Sequence, residues 1–316
     1  MNPKYKKALI ARVESSLLRG AEEYFIQNGF VNVPTVPHIV DITGACENVD
    51  TLYSLNYHGR EAFLTQTGQT ALELLTSSLE KVCCTIHSFR AEETVDARHL
   101  TEFPLIEFEF RYSNDGFQQL LSRIENTISS MVRYALRTES EALLALGADV
   151  NALGNLKMPF SRIAYDDAVK MLGLPWGADL KHEHETVLTT EFGGPVFVTR
   201  YPEKIKFFNM QRNKENSRLV DSADLLLPHS GEAVGAAVRE HDYNLLVEKL
   251  KNSEMFKILS ARGKTLEDFQ PYLEEVKHNP VPHAGCGIGL CRVTQYVLGL
   301  DDIREATAYP RNRDSK

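Results

Sequence analysis

The sequence predicts an α+β domain built on a mainly antiparallel sheet. Three observations carry this. Residues 104–112, PLIEFEFRY, alternate strictly, with Ile106, Phe108 and Phe110 on one face and Glu107 and Glu109 on the other, the period of a strand. Residues 283–300, HAGCGIGLCRVTQYVLGL, set Gly285, Gly287 and Gly289 at every second position and then turn helical through Leu290, Val293, Tyr296 and Val297. Long stripes of helical period accompany them. One runs over 9–28 through Ile10, Val13, Leu17, Leu18, Ala21 and Phe25, the other over 117–136 through Leu120, Leu121, Ile124, Ile128 and Met131.

In chain order, helix 9–28 ends at Gly29, a plausible C-cap. Residues 62–65 form a short apolar run, and Gln69 to Leu79 reads as a helix. Strand 104–112 and helix 117–136 follow. Strand-like runs recur at 196–200, 205–210 and 219–227, and a helix is expected at 241–251 on the stripe Leu245, Leu246 and Leu250. The glycines of the last strand share one face. That face is bare backbone, against which a ligand can lie flat. It is not a dinucleotide loop, because the third glycine of that pattern stands three residues after the second, whereas position 290 is Leu.

The chain has 316 residues, 43% apolar and 25% charged, the balance of an ordinary globular protein with room for one large domain or two small ones. No linker or repeat divides it, and a single domain over 1–316 is expected. The net charge is −8 and the pI about 5.7, which weighs against a partner gripped by its phosphates, such as nucleic acid. The start, MNPKYKKALIARVESSLL, holds no apolar signal core, and no spanning run follows, so the expectation is a cytoplasmic protein with no membrane contact. Five cysteines, Cys46, Cys83, Cys84, Cys286 and Cys291, form no CxxC pair. They read as buried reduced thiols rather than a disulfide framework or zinc site.

Three constellations carry chemistry. In the first, Phe89-Arg90-Ala91-Glu92 leads through a polar loop to Glu102-Phe103 and the alternating strand. An Arg at a strand end can fork onto a phosphate and a carboxylate together. Arg98 and His99 can close over a polyphosphate, and Phe103 can stack on a base. In the second, Asp224 and Glu232 stand eight residues apart across a Pro/Gly turn, with Gly235, Ala236 and Ala237 leaving room before Arg239. Two carboxylates of this kind suit Mg²⁺, which takes one or two acids plus phosphate oxygens. In the third, Arg292 opens the helix after the glycine strand and would sit beside a ligand on the glycine face.

Together these segments resemble the catalytic core of class II aminoacyl-tRNA synthetases. FRAEE…RHLTEFPLIEFEF is similar to motif 2, GCGIGLCRVTQYVLGLDDIREATAYPR to motif 3, and GFVNVPTVP to motif 1, the dimer-interface segment. ENVDTLYSLNYHGREAFLTQTGQ, IKFFNMQRNKENSRLVDSADLLLPHSGEAVG and PHAGCGIGL resemble the asparaginyl branch, and the likeness covers roughly residues 9–313. The resemblance implies an antiparallel sheet flanked by helices, a homodimer, and ATP with Mg²⁺. It implies Arg90 on the α-phosphate and substrate carboxylate, Glu92 on the adenine amino group and Phe103 stacked on the ring. Arg98, His99 and Arg292 would hold the outer phosphates, with Gly287 and Gly289 beneath the nucleotide. Asp224 and Glu232 match the metal ligands, and Glu47 and Gln69 match positions near the substrate's ammonium.

The side-chain pocket bears on the substrate. In the aspartyl branch a Lys stands three residues after the matching Gln, where this chain has Leu72. Arg239 remains for a side-chain oxygen. Glu107 matches an acid that accepts from an amide, a good partner for NH₂ and a poor one for a carboxylate. The expected substrate is therefore asparagine rather than aspartate. The chain departs from the family pattern at Val36 in place of a Pro, Asn209 in place of a Tyr, Ala237 in place of a Ser and Cys291 in place of an acid. The segment similar to motif 1 ends near residue 40, and the expectation is a free-standing catalytic core without an OB-fold anticodon-binding domain. The leading expectation is formation of asparaginyl-AMP with transfer to a non-tRNA amine or other acceptor. The alternatives are an asparagine synthetase-like amidation of aspartate, tRNA charging without an anticodon domain, and a catalytically silent regulatory paralogue.

Overall fold

The structure, a computed structural model, describes residues 1–42 and 51–315. Helix α1 (Pro3–Gln27) opens on an Asn2 cap whose side chain accepts from the Lys4 N–H at 2.9 Å, with Pro3 in the first turn. Both are strong helix-start signals, and they carry the helix six residues ahead of the apolar stripe. It closes before Gly29, which takes a φ of +73°. The strands are β1 (Val31–Asn32), β2 (Ile39–Val40), β3 (Ser54–Tyr57), β4 (Arg60–Leu64), β5 (Lys81–Phe89), β6 (Glu102–Arg111), β7 (Ser161–Ala164), β8 (Val196–Thr199), β9 (Ser222–Leu227), β10 (Gly231–Val238) and β11 (His283–Gly289). The remaining helices are α2 (Gln69–Glu73), α3 (Gly116–Thr138), α4 (Ser140–Leu146), α5 (Val150–Gly154), α6 (Tyr165–Met171), α7 (His182–Glu191), α8 (Tyr243–Asn252), α9 (Glu254–Ala261), α10 (Gln270–His278) and α11 (Leu290–Leu298).

The large sheet runs β1-β5-β6-β11-β10-β9-β8-β7, and β2-β4-β3 form a small second sheet. Pairing is antiparallel except at the two ends of the large sheet, where β1 meets β5 and β7 meets β8 in parallel. One face is the core. Ile106, Phe108, Phe110, Cys286, Ile288, Val234 and Leu225 pack there against Leu17 of α1, Ile124 of α3 and Val293 of α11. Each such side chain contributes about 1.5–3 kcal/mol by leaving water. The opposite face carries the polar and glycine positions. Reading across paired strands, Cys84, Glu107, Gly287, Gly235 and Asp224 fall in one row.

A bulge between Glu232 and Val234 changes what β10 presents. In a regular strand Glu232 and Gly235 would point to opposite faces. The extra residue restores Glu232 to the Asp224 face, a re-aiming typical of bulges.

Two sequence expectations are corrected. The helix expected over Gln69 to Leu79 stops at Glu73 and continues as turns. There the Glu73 carbonyl accepts from both the hydroxyl and the N–H of Thr76, at 2.8 and 3.1 Å, the tighter three-residue spacing of a turn, with the side chain competing for the carbonyl. The run 205–210 is not a strand. A 3₁₀ turn covers Glu203–Ile205, and Phe207 and Phe208 are both buried in a satellite cluster with Phe269 and Tyr272. Two consecutive rings turned inward do not fit the alternation of a strand. The four described cysteines are free and buried, as expected, and Cys46 lies outside the described residues. No helix among the described residues is long and apolar enough to cross a membrane.

Candidate active site

The glycine-bearing face of the large sheet floors a cleft of about 410 Å³. Arg90 follows the last residue of β5 and Phe103 is the second residue of β6, so the hairpin holds both at one end, with the Arg90 guanidinium 5.4 Å from the Phe103 ring centre. The loop between them is shaped by Asp96, whose Oδ1 accepts from the backbone N–H groups of Arg98 and His99 at 2.8 and 2.9 Å. Arg98 reaches out of that loop to Glu185 of α7 at 2.9 Å. Arg292, one turn into α11, donates to the Ser230 carbonyl at 2.5 Å and to the Arg98 carbonyl at 2.8 Å.

These guanidinium groups crowd one region. Burial, and then the neighbouring Arg98, push the Arg292 pKa down to about 10. Arg90 Nε and Arg98 Nη1 are buried with no acceptor among the described residues. Buried donors left without partners are costly, and cations forced together lower one another's affinity for protons. A polyphosphate relieves both strains.

At the side of this region Asp224 accepts from Lys206 at 2.8 Å. Glu232 lines the same cleft by virtue of the bulge. No group of three or more metal-ligating side chains occurs among the described residues. Two carboxylates beside these crowded guanidinium groups nonetheless match the donor set of Mg²⁺, which draws its other ligands from phosphate and water.

The far end of the cleft is built differently. Glu107 is 3% exposed. Its Oε2 accepts from the Gly68 N–H at 2.6 Å, and the Thr67 hydroxyl donates to Oε1. Burial pushes its pKa up to about 7 against these donors. Next to it in β6, Glu109 holds Arg239 at 2.6 Å and 3.1 Å, lying across the bare backbone of Gly285. Burial raises its pKa too, to about 7.

Behind Arg239 lies a buried carboxylate that the sequence reading passed over. Glu73 accepts from Gln69 (2.5 Å), Asn209 (2.8 Å), Tyr272 (2.8 Å) and His283 (3.0 Å) and stands 3.9 Å from Arg239. Burial works to raise its pKa, but His283, Arg239 and Gln69 overcome this and hold it below the usual range. His283 Nδ1 meets the Val281 carbonyl at 2.8 Å. Both ring nitrogens thus face acceptors, the arrangement of an imidazolium, and the Glu73 contact raises its pKa in spite of burial. Asn209, one of the departures from the family pattern, is therefore a donor in this cluster.

The cleft brings together Arg90, Glu92, Arg98, His99, Phe103, Gln69, Glu107, Asp224, Glu232, Arg239, Gly287, Gly289 and Arg292. Glu47 lies outside the described residues. Sequence reasoning missed Glu73, Glu185, Lys206 and His283 as members or neighbours of the site. For Glu73 a signal was present: it stands four residues after Gln69, on the same side of one helical turn.

The sequence matches the family described as tRNA synthetases class II (D, K and N) over residues 1–313. It is 38% identical over 313 residues to an asparagine–tRNA ligase of Thermococcus kodakarensis, covering 97% of this chain and 69% of that enzyme. It is 35% identical to that of Desulforamulus reducens, with 96% and 68% covered. The fold superposes on the asparaginyl-tRNA synthetase of Pyrococcus horikoshii in complex with asparaginyl-adenylate with a TM-score of 0.89 at 34% identity, covering 98% of this chain and 70% of that one. For the Entamoeba histolytica asparaginyl-tRNA synthetase with asparaginyl-adenylate the TM-score is 0.84 at 28% identity, with 98% and 68% covered. With the arginine-rich end, the glycine floor and the acid-bearing pocket in one cleft, the chain belongs to the class II tRNA synthetases of the D, K and N group.

Proposed function

We propose that this ATP-dependent, AMP-forming ligase of the asparaginyl type makes asparaginyl-AMP and passes the acyl group to an amine or another acceptor that is not tRNA. The observation that carries the substrate is Glu107. It is a buried carboxylate held by hydroxyl and N–H donors, while the nearby Arg239 is already matched by Glu109. Leu72, fully buried, stands where a second cation would be needed to welcome a carboxylate. An amide offers an N–H to Glu107 and an oxygen to Arg239. A carboxylate offers a second negative charge in a dry pocket.

In the reaction the substrate carboxylate is the nucleophile. One of its oxygens bonds to the α-phosphorus of ATP as the bond to the pyrophosphate oxygen breaks, so no side chain need remove a proton. The residues position and neutralise. Arg90 joins the α-phosphate to the carboxylate. Phe103 stacks on the adenine and Glu92 accepts from its amino group. Arg98, His99 and Arg292 receive the departing pyrophosphate, and the nucleotide rests on Gly287 and Gly289. Gln69 and Glu47 serve the ammonium. Asp224 and Glu232 would hold Mg²⁺, which supplies charge neutralisation on the phosphates when bound.

The acceptor half of the proposal is supported by the net charge of −8 and by the acids Glu92, Glu93 and Asp96 in the loop beside the ATP end. Both disfavour a polyanion and suit an amine. The same reading includes a single catalytic domain, supported by the family match over residues 1–313, a homodimer formed through α1 and the segment after it, and a cytoplasmic setting. A second reading, charging of tRNA, is favoured by the named activity of the relatives. Pyrophosphate exchange with a panel of amino acids tests the first half, with asparagine expected to be best. Acyl transfer to hydroxylamine or small amines, compared with transfer to tRNA, tests the second. Charging of tRNA as fast as adenylate forms would overturn it.

A further inference from the structure

Four ionisable side chains meet in the buried wall behind Arg239, each from a different part of the chain. Glu73 comes from α2, Glu109 from β6 and His283 from β11, while Arg239 directly follows β10. All four are buried. His283 is the imidazolium of the set. The Val281 carbonyl can only accept, so Nδ1 donates to it at 2.8 Å. On the other side of the ring Nε2 donates to the Glu73 carboxylate at 3.0 Å. With both carboxylates ionised, two negative and two positive charges balance, and buried charges are tolerated only when they are matched in this way. Tyr272 and Glu275 of α10, with His241, are the other titratable groups at this wall.

Arg239 stands between the two carboxylates. Its Nη2 and Nε reach Glu109 at 2.6 and 3.1 Å, and Nε is 3.9 Å from Glu73. No hydrogen bond engages Nη1 among the described residues, and Arg239 lines the cleft. Nη1 is therefore the nitrogen left for a ligand's side-chain oxygen. Its aim depends on which acid holds the guanidinium. Without the imidazolium, Glu73 would be an unmatched buried charge close to Nε, and opposite charges attract strongly in a dry interior. The guanidinium would then be shared between Glu109 and Glu73, and Nη1 would turn with it. We propose that His283 is a positioning residue for side-chain recognition: by neutralising Glu73 it leaves Arg239 to Glu109 and holds Nη1 ready for the substrate. This rests on the reading of Arg239 as the partner of the asparagine side-chain oxygen.

The test is a double-mutant cycle on the full chain, read by calorimetric titration with asparagine and, for the other end of the cleft, with ATP. His283→Gln keeps a donor for Glu73 but removes the positive charge. It should weaken asparagine about ten- to a hundredfold, the range for a hydrogen bond to a charged group, and leave ATP within about twofold. Glu73→Gln removes the charge that His283 neutralises, and two facing amides can bond to each other with no net charge. Added to His283→Gln, it should restore asparagine affinity to that of Glu73→Gln alone. A His283 that only fills space gives the opposite result, because the second substitution then adds its own loss to the first. Additive losses, an equal loss of ATP binding, or wild-type asparagine affinity in His283→Gln would each overturn the proposal. Should His283→Gln fail to fold, the double variant decides against Glu73→Gln: equal asparagine affinity supports the proposal, and a double variant that is weaker or unfolded overturns it. Should the wild type bind aspartate in place of asparagine, the substrate reading alone fails, and the same cycle with aspartate decides His283. A wild type that binds neither amino acid overturns both.

Discussion

Arg90 and Arg292 differ in how far the protein has prepared them. Arg90 has a buried Nε with no acceptor among the described residues, whereas Arg292 already spends both terminal nitrogens on backbone carbonyls. Replacing either by Ala should nearly abolish adenylate formation. Loss of one donor to developing charge costs about 3–4 kcal/mol, a hundredfold or more in rate. Pyrophosphate exchange within a few-fold of wild type would remove that residue from the mechanism. Glu107 gives a prediction with a sign. Its pKa is raised to about 7, so the carboxylate that accepts from an asparagine amide forms as pH rises through that value. The kcat/KM for asparagine should climb across this window relative to that for aspartate. Glu107→Gln should flatten part of the climb, the rest belonging to Glu109, which titrates in the same range. Stability runs the other way. The native state keeps protons that the unfolded chain, with its ordinary value of 4.5, has released, so rising pH between these values destabilises the fold. Glu107→Gln should therefore raise the melting temperature above pH 7 while it weakens asparagine use.

At the scale of elements, β11 shows how much a strand can disclose. Three glycines at every second position announced a bare face, and the change to helical period announced α11; both stand as read. The site residues on strands and strand ends were legible for the same reason, since alternation fixes their face. Glu232 is the exception that defines the limit. Counting by two from Gly235 puts it on the core side, and only the bulge at Ala233 brings it beside Asp224. Nothing in GEAVGAAV marks that extra residue. Lys206 and His283 were illegible because their partners come from distant segments, while Glu73 showed only its spacing from Gln69, its contacts with Asn209, Tyr272 and His283 being invisible in a string of letters. The glycines also separate fold from function. A Cβ on Gly285 would lie 2.1 Å from Glu109 Cδ and 2.3 Å from the Phe108 carbonyl oxygen. Gly285→Ala should lower the melting temperature by several degrees and disturb the Glu109–Arg239 pair. A Cβ on Gly287 meets nothing nearer than Leu105 at 3.5 Å. Gly287→Ala should leave melting unchanged and raise the KM for ATP. Equal melting losses in the two variants would deny the ligand-facing role of Gly287.

For the molecule as a whole, the edge of the large sheet next to α1 is left short by β1, two residues long and exposed, with Ile26 and Val31 uncovered nearby. An apolar, under-paired edge of this kind is a liability unless something covers it. A dimer in light scattering at micromolar concentration is the expected outcome, and a persistent monomer would defeat the motif 1 expectation. The grip of Arg292 on two carbonyls has a further effect at this scale. Ser230 belongs to the turn between β9 and β10, and Arg98 to the loop before β6, segments far apart in sequence that one planar fork holds in step. When phosphate arrives and draws on that guanidinium, both segments feel it at once, so nucleotide arrival and the settling of the entrance become one event rather than two. Lysine carries the same charge but has no fork with which to bridge. Arg292→Lys should leave the charge of the site intact yet let the two segments move independently, seen as faster amide exchange at residues 96–100 and 228–231 that saturating ATP slows less than in the wild type. Exchange that slows equally in both proteins would mean that the loops keep time by another route.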